Sequence, residues 1–217
     1  MSDQTDTYAI VVVGGMNPLI HHPSWYRAVE LLNDEEVEQA TRTPFLIVTR
    51  PLSQFQTPKL TIACQDNRWE IRTSDPDQVQ RIQDITSRVF DEILPHTPVM
   101  AAGFNFNYRR ATTAKDVAGY LASVLINAYL GLKGDHATSG EVTLRRSFDE
   151  HTALANVQPA PDDKGAVLIA HNFEYQFKHE GSFNLGDVIR QRYGLDRSES
   201  EEQTAVIVEA INRSTKG

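Results

Sequence analysis

Hydrophobic and polar positions change period several times along this chain, and each change marks an element. Thr97 to Arg110 alternates strictly. Met100, Ala102, Phe104, Phe106 and Tyr108 fall on one side of an extended chain, and Ala101, Gly103, Asn105, Asn107 and Arg109 on the other. Successive side chains of a strand point to opposite faces, so this predicts a long strand with a buried aromatic face and a polar, amide-rich face. Ala166 to Lys178 alternates in the same way. Val167, Ile169, His171, Phe173, Tyr175 and Phe177 oppose Leu168, Ala170, Asn172, Glu174, Gln176 and Lys178. Tyr8 to Val13 is a continuous apolar run ended by Gly14 and Gly15, which predicts a strand near the middle of a sheet and buried on both faces. Shorter strand patterns cover 45–50, 59–64, 68–73, 141–148 and 152–158. Gln65-Asp66-Asn67 reads as a hairpin turn, and 51–58 and 159–164 read as loops.

Helical spacing takes over elsewhere. Ser24 stands as an N-cap before Trp25, Val29 and Leu32, and acidic residues 34–38 follow as a turn or short helix. Asp75-Pro76 opens a helix over about 76–94 with Val79, Ile82, Ile85, Val89, Phe90 and Ile93 on its stripe. Thr112 or Thr113 caps a helix over about 113–131 that Gly131 and Gly134 end. Its wide apolar face is Val117, Tyr120, Leu121, Val124, Leu125, Ala128 and Tyr129. A short helix over 184–194 and a terminal one over 198–213 complete the chain, the latter signalled by Ser198 with Glu201 as a capping box.

Three strands precede a helix–strand–helix centre and three follow it. That order predicts an α+β fold: mostly antiparallel sheet, helices packed on one side, with two similar halves as an option. No sequence repeat recurs at a fixed period. A single domain over 1–217 is the expectation, with 7–111 and 112–213 as its subdivision.

Composition narrows the function classes. The 217 residues suffice for a core without metal or disulfide staples. A net charge of −8 disfavours non-specific binding to phosphate backbones and anionic membranes. No apolar run approaches a membrane span. The start, MSDQTDTY, has no basic segment, so a secretory signal is not expected and a cytoplasmic location is. The single cysteine, Cys64, shares a strand face with Leu60 and Ile62 and reads as a core residue.

Candidate chemistry falls in three places. The loop after the first strand offers Gly14, Gly15, Asn17, His21 and His22, glycines for close backbone approach and imidazoles for proton transfer. It contains neither a dinucleotide fingerprint nor a phosphate loop, and a plain tight turn explains it equally. The second place is a polar sheet surface. If the two long strands are neighbours, Asn105, Asn107 and Arg109 join Asn172, Glu174 and Gln176 in a field of hydrogen-bond donors and acceptors. The third is basic: Arg109, Arg110, Arg145 and Arg146. The alternation turns Phe104, Phe106 and Tyr108 away from Arg109, which argues against a nucleic-acid surface. The histidines form neither HxH nor HExxH, Asp149-Glu150-His151 lacks an assigned nucleophile, and GxSxG is absent, so no metal, cofactor or catalytic residue is assigned.

Three readings follow. The first is a non-enzymatic cytosolic interaction module that presents a polar sheet face or edge to a protein partner, or to a second copy through the apolar 113–131 helix or the terminal helix. The second is a small-molecule-binding domain using the Gly14–His22 loop. The third is a hydrolase-type enzyme with acid–base chemistry from His21 or His22.

Overall fold

The apolar run near the start becomes β1 (Thr7–Gly14), with Ile10 and Val12 fully enclosed and Ala9 and Val11 also buried on the opposite face. The structure, a computed structural model, describes residues 6–129, 140–177 and 184–214, with backbone alone over 124–129 and at 214. After β1 come α1 (Pro23–Ala28), α2 (Asp34–Arg42), β2 (Ile47–Val48), β3 (Leu52–Gln56), β4 (Thr61–Gln65), β5 (Arg68–Thr73) and α3 (Val79–Ser87). The chain continues with β6 (Val99–Ala111), α4 (Val117–Tyr129), β7 (Val142–Ser147), β8 (His151–Ala160), β9 (Asp163–Gln176) and α5 (Leu185–Ser214).

The fold is α+β. Nine strands form an antiparallel sheet in the order β2-β3-β4-β5-β1-β6-β9-β8-β7. Leaving β2 aside, the order reads β3-β4-β5-β1 from one end and β7-β8-β9-β6 from the other. Along the chain each set runs strand, helical segment, three strands, helix. The two halves therefore share a topology although no sequence period links them.

Contacts divide the chain into two compact units. The first holds Thr7–Asn105 and Glu174–Leu195, and the second holds Met1–Asp6, Phe106–Phe173 and Asp196–Gly217. In the first unit the inner face of β3, β4 and β5 carries Phe55, Ile62, Cys64, Trp69 and Ile71, all nearly inaccessible. The Val79, Ile82 and Ile85 stripe of α3 packs toward β1 and β5. The Trp69 ring meets Phe90 edge-on at 5.2 Å, and Phe104 meets Tyr193 at 5.0 Å. Asn33 and Glu36 close a capping box on α2, and Arg81 ties α3 to Glu36 at 2.6 Å. In the second unit Ala114, Val117, Leu121, Val157, Val167, Ile169 and Ile211 form one core. There Tyr108 Oη lies 2.7 Å from Ser200 Oγ, and His171 Nε2 lies 2.9 Å from Thr204 Oγ1.

Several boundaries differ from the sequence expectation. Of 45–50 only Ile47 and Val48 pair, while the expected loop 51–58 contains β3. Ser53 and Phe55 are the buried side chains of β3, so its inward face carries one apolar residue and gives almost no hydrophobic signal. The helix after Ser24 stops at Ala28, because Glu30 adopts φ 60, and His22 rather than Ser24 is its cap. The expected 76–94 helix runs from Pro76 to Ile93 and changes pitch, from a 3-10 turn at Pro76–Gln78 through α3 to a π-helical Arg88–Ile93. Met100 lies at a strand end and is exposed instead of joining the aromatic face. Asp116 Oδ1 accepts from Gly119 N at the start of α4, whereas Thr112 donates to Gly165 O. β8 runs on to Ala160, so only Pro161 and Asp162 remain of the 159–164 loop. The two expected C-terminal helices are one, α5. Gly194 lies inside it with open space where a Cβ would stand, and Glu201 pairs with Arg197 one turn back. The expected stops Gly131 and Gly134, and Lys178, lie outside the described residues, as do the side chains of Val124, Leu125, Ala128 and Tyr129.

Gly14 is confined by close approach. A Cβ there would stand 2.0 Å from Pro98 O, whereas one at Gly15 would meet nothing nearer than 3.7 Å. Gly14→Ala is therefore expected to cost about 1–3 kcal/mol by overpacking, and Gly15→Ala to stay within about 0.5 kcal/mol of wild type. Urea unfolding of the pair checks this; equal midpoints for the two variants would contradict it.

Candidate functional site

Each residue of the loop after β1 has a local structural partner. Gly14 N donates to Asn67 O at 3.1 Å, Gly15 N to Pro98 O at 3.0 Å, and Met16 N to Asp66 O at 2.8 Å. Asn17 Oδ1 accepts from Leu19 N at 3.2 Å. His22 Nδ1 lies 2.6 Å from Ser24 Oγ and accepts from Ser24 N, capping α1. His21 is buried, with Nδ1 2.8 Å from Tyr26 Oη. Tyr26 Oη in turn accepts from Trp69 Nε1 at 2.9 Å. Indole nitrogen only donates, so the arrangement that uses every proton has Tyr26 donating to His21 Nδ1 and the imidazole protonated at Nε2. Ser53 Oγ donates to His21 O at 2.5 Å, fastening the loop to β3.

Burial sets the electrostatics of this cluster. It lowers the His21 pKa to about 4, so the ring is neutral at physiological pH. It raises the Tyr26 pKa, and it pushes the Cys64 thiol up to about 12, with Asp66 adding to the shift. A protonated, enclosed thiol is a poor nucleophile. Among the described residues no group of three or more His, Cys, Asp or Glu is placed to hold a metal ion.

β6 and β9 are sheet neighbours, as the polar-face reading required. The face opposite the aromatic core carries the six polar residues, and the unit boundary divides them. Asn105, Glu174 and Gln176 belong to the first unit, where Gln176 Nε2 donates to Glu174 Oε1. Asn107, Arg109 and Asn172 belong to the second, where Arg109 pairs with Asp162 at 2.6 Å. The basic pairs are spent differently. Arg110 holds Asp6 at 2.5 Å and Arg146 holds Glu199 at 2.5 Å.

Two features of the first unit escaped the sequence reading. One is the exposure of the β2 edge, where Ile47 is 39% and Val48 38% exposed, and Phe45 in the turn before it is 56% exposed. Its neighbours from Pro44 to Thr49 include no charge, a signal that was present in the sequence. The other is the outer face of β3, β4 and β5. Register places Gln54 beside Ala63 and Ala63 beside Glu70, with Thr61 beside Arg72 and Gln65 beside Arg68. The small Ala63 leaves a recess of about 190 Å³ ringed by Gln54, Thr61, Gln65, Arg68, Glu70 and Arg72.

No helix among the described residues is long and apolar enough to cross a membrane. No known family model matches the chain, and no curated protein matches it in sequence.

Proposed function

We propose that this protein is an interaction module that accepts an extended segment of a protein partner along the β2 edge. The observation that carries this reading is the exposed, uncharged, apolar edge: Ile47 and Val48 at the end of the sheet order, with exposed Phe45 in the turn before them. An edge strand presents unpaired backbone donors and acceptors, and proteins normally guard such edges with charge, proline or a covering element. The opposite edge strand, β7, carries Arg145 and Arg146. β2 carries no charge, and its two residues, bounded in the chain by Pro44 and Pro51, confine the accepting stretch to Ile47 and Val48. Strand addition would satisfy the free backbone groups and cover apolar side chains on both faces.

Asn105, Glu174 and Gln176, and separately Asn107, Arg109 and Asn172, are proposed as secondary polar contacts within their own units. A cytoplasmic setting fits a chain whose one cysteine, Cys64, is a buried core residue. The Gly14–His22 loop supports a ligand or acid–base reading less well, because His21 and His22 are engaged in holding the loop and capping α1.

The test is co-purification of tagged protein from the source cell at fixed salt. Ile47→Lys is expected to reduce recovery of a stoichiometric partner at least tenfold, about 1.4 kcal/mol, with an unchanged circular dichroism spectrum. Arg145→Glu on β7 should leave recovery unchanged. Loss with Arg145→Glu and full recovery with Ile47→Lys would overturn the assignment to β2.

A further inference from the structure

We propose that the recess over Ala63 on the outer face of β3, β4 and β5 binds a small polyhydroxylated anion, a sugar acid or sugar phosphate, with its anionic group on Arg72. Arg68, Glu70 and Arg72 are two residues apart on β5 and project from the face opposite Trp69 and Ile71. On an ordinary sheet surface long side chains lie over their cross-strand neighbours. Here the centre of the group is a methyl, Ala63, between Gln54 of β3 and Glu70 of β5. The surrounding side chains stand around a depression instead of closing it.

The polar groups of the rim are unequally engaged. Arg68 is paired with Glu70 at 2.7 Å. Arg72 makes no ion pair among the described residues, and Gln54, Thr61 and Gln65 make no side-chain hydrogen bond there. Arg72 is thus a guanidinium with its full fork of donors available for a carboxylate or phosphate. Two amides and a hydroxyl each donate and accept, which matches ligand hydroxyls. Glu70 retains acceptor capacity for one more. The rim has no aromatic ring, so a stacked base is not what it fits. The volume of about 190 Å³ is the share of about six waters at ~30 Å³ each. That is smaller than the ~300–1,000 Å³ of drug-sized sites. Phe45, Ile47 and Val48 do not line this recess, although Gln54 of its rim is the register partner of Ile47 and so borders the strand-accepting edge.

The experiment is a titration of ¹⁵N-labelled full-length protein with D-gluconate, glucose 6-phosphate and neutral sorbitol, following the amides of Ala63, Glu70 and Arg72. A saturable shift is expected with one or both anions and none with sorbitol at the same concentration. Preference between the anions identifies the head group. Arg72→Gln should weaken binding at least tenfold, and Ala63→Leu, which fills the recess, should abolish it. Arg50→Gln, a change at an exposed arginine elsewhere in the unit, should leave it intact. Absence of a saturable shift with both anions, an equal response to sorbitol, or a shift that survives Ala63→Leu in a folded protein would each overturn the proposal.

Discussion

Trp69→Ala is expected to lower the free energy of unfolding by about 3–5 kcal/mol, a large part of the ~5–15 kcal/mol that holds a domain folded. Trp69 is fully enclosed on the inner face of β5. Removing it leaves a cavity between the sheet and Phe90, which lies 5.2 Å away ring to ring. It also removes the indole N–H that Tyr26 Oη accepts at 2.9 Å. Tyr26 is fixed by that bond and by His21, so the loss reaches the loop after β1. Trp69→Phe keeps most of the volume and forfeits the hydrogen bond, and its cost should be nearer the ~1–3 kcal/mol of an unsatisfied buried group. Urea denaturation followed by circular dichroism separates the two variants. A Trp69→Ala protein with the wild-type midpoint would show that the His21–Tyr26–Trp69 chain is not a structural centre of the first unit.

The second large effect is on pH. His21 in the first unit and His171 in the second each have a pKa lowered from 6.5 to about 4, both chiefly by burial and His171 also by the Arg146 charge. Between those values the unfolded chain binds protons that the folded protein refuses, so stability rises with pH across this window. The stability is fully present above pH ~6.5 and declines as pH falls toward ~4. For His21 the whole shift corresponds to roughly 3 kcal/mol. Protonation there also places a proton on Nδ1, where Tyr26 now donates. Unfolding at pH 7.5 and pH 5 is expected to show a clearly lower midpoint at pH 5. His21→Phe should flatten the dependence by removing one of the two groups. Equal stability at both pH values in the wild type would contradict the burial of these rings.

The elements that alternated over many residues were legible in the sequence. β6 and β9 stand out because five or six aromatic and aliphatic side chains fall on one face and polar ones on the other. β1 was legible because both of its faces are buried. β3 was not, because its inward face is Ser53 and Phe55 and its Ser53 hydroxyl is satisfied by His21 O from a distant loop. At 45–50 the apolar run FLIV predicts a strand, but only Ile47 and Val48 pair, and they are an exposed edge. Periodicity reports apolar content and cannot say whether anything covers it. The helix break expected near Gly194 failed because a glycine inside a long helix costs only about 1 kcal/mol, which the surrounding helix tolerates.

The candidate sites divide in the same way. Gly14, His21 and His22 attracted attention as chemistry-bearing residues, yet their partners are Pro98, Tyr26 and Ser24. Those contacts depend on where Pro98 and Trp69 arrive in space, which no local pattern encodes. The β5 alternation Arg68, Glu70, Arg72 was readable, but the recess depends on Ala63 falling opposite Glu70 in the β4–β5 register.

The most direct test of the account is site-specific photo-crosslinking in the source cell, with a photoreactive residue at position 47 on β2 and, in parallel, at position 144 on β7. Both positions are exposed, so neither probe disturbs the core. A strand-accepting β2 edge predicts a discrete crosslinked product from position 47, at the mass of one partner or a second copy, and none from position 144. Products from position 144 alone, or from neither position, would contradict it.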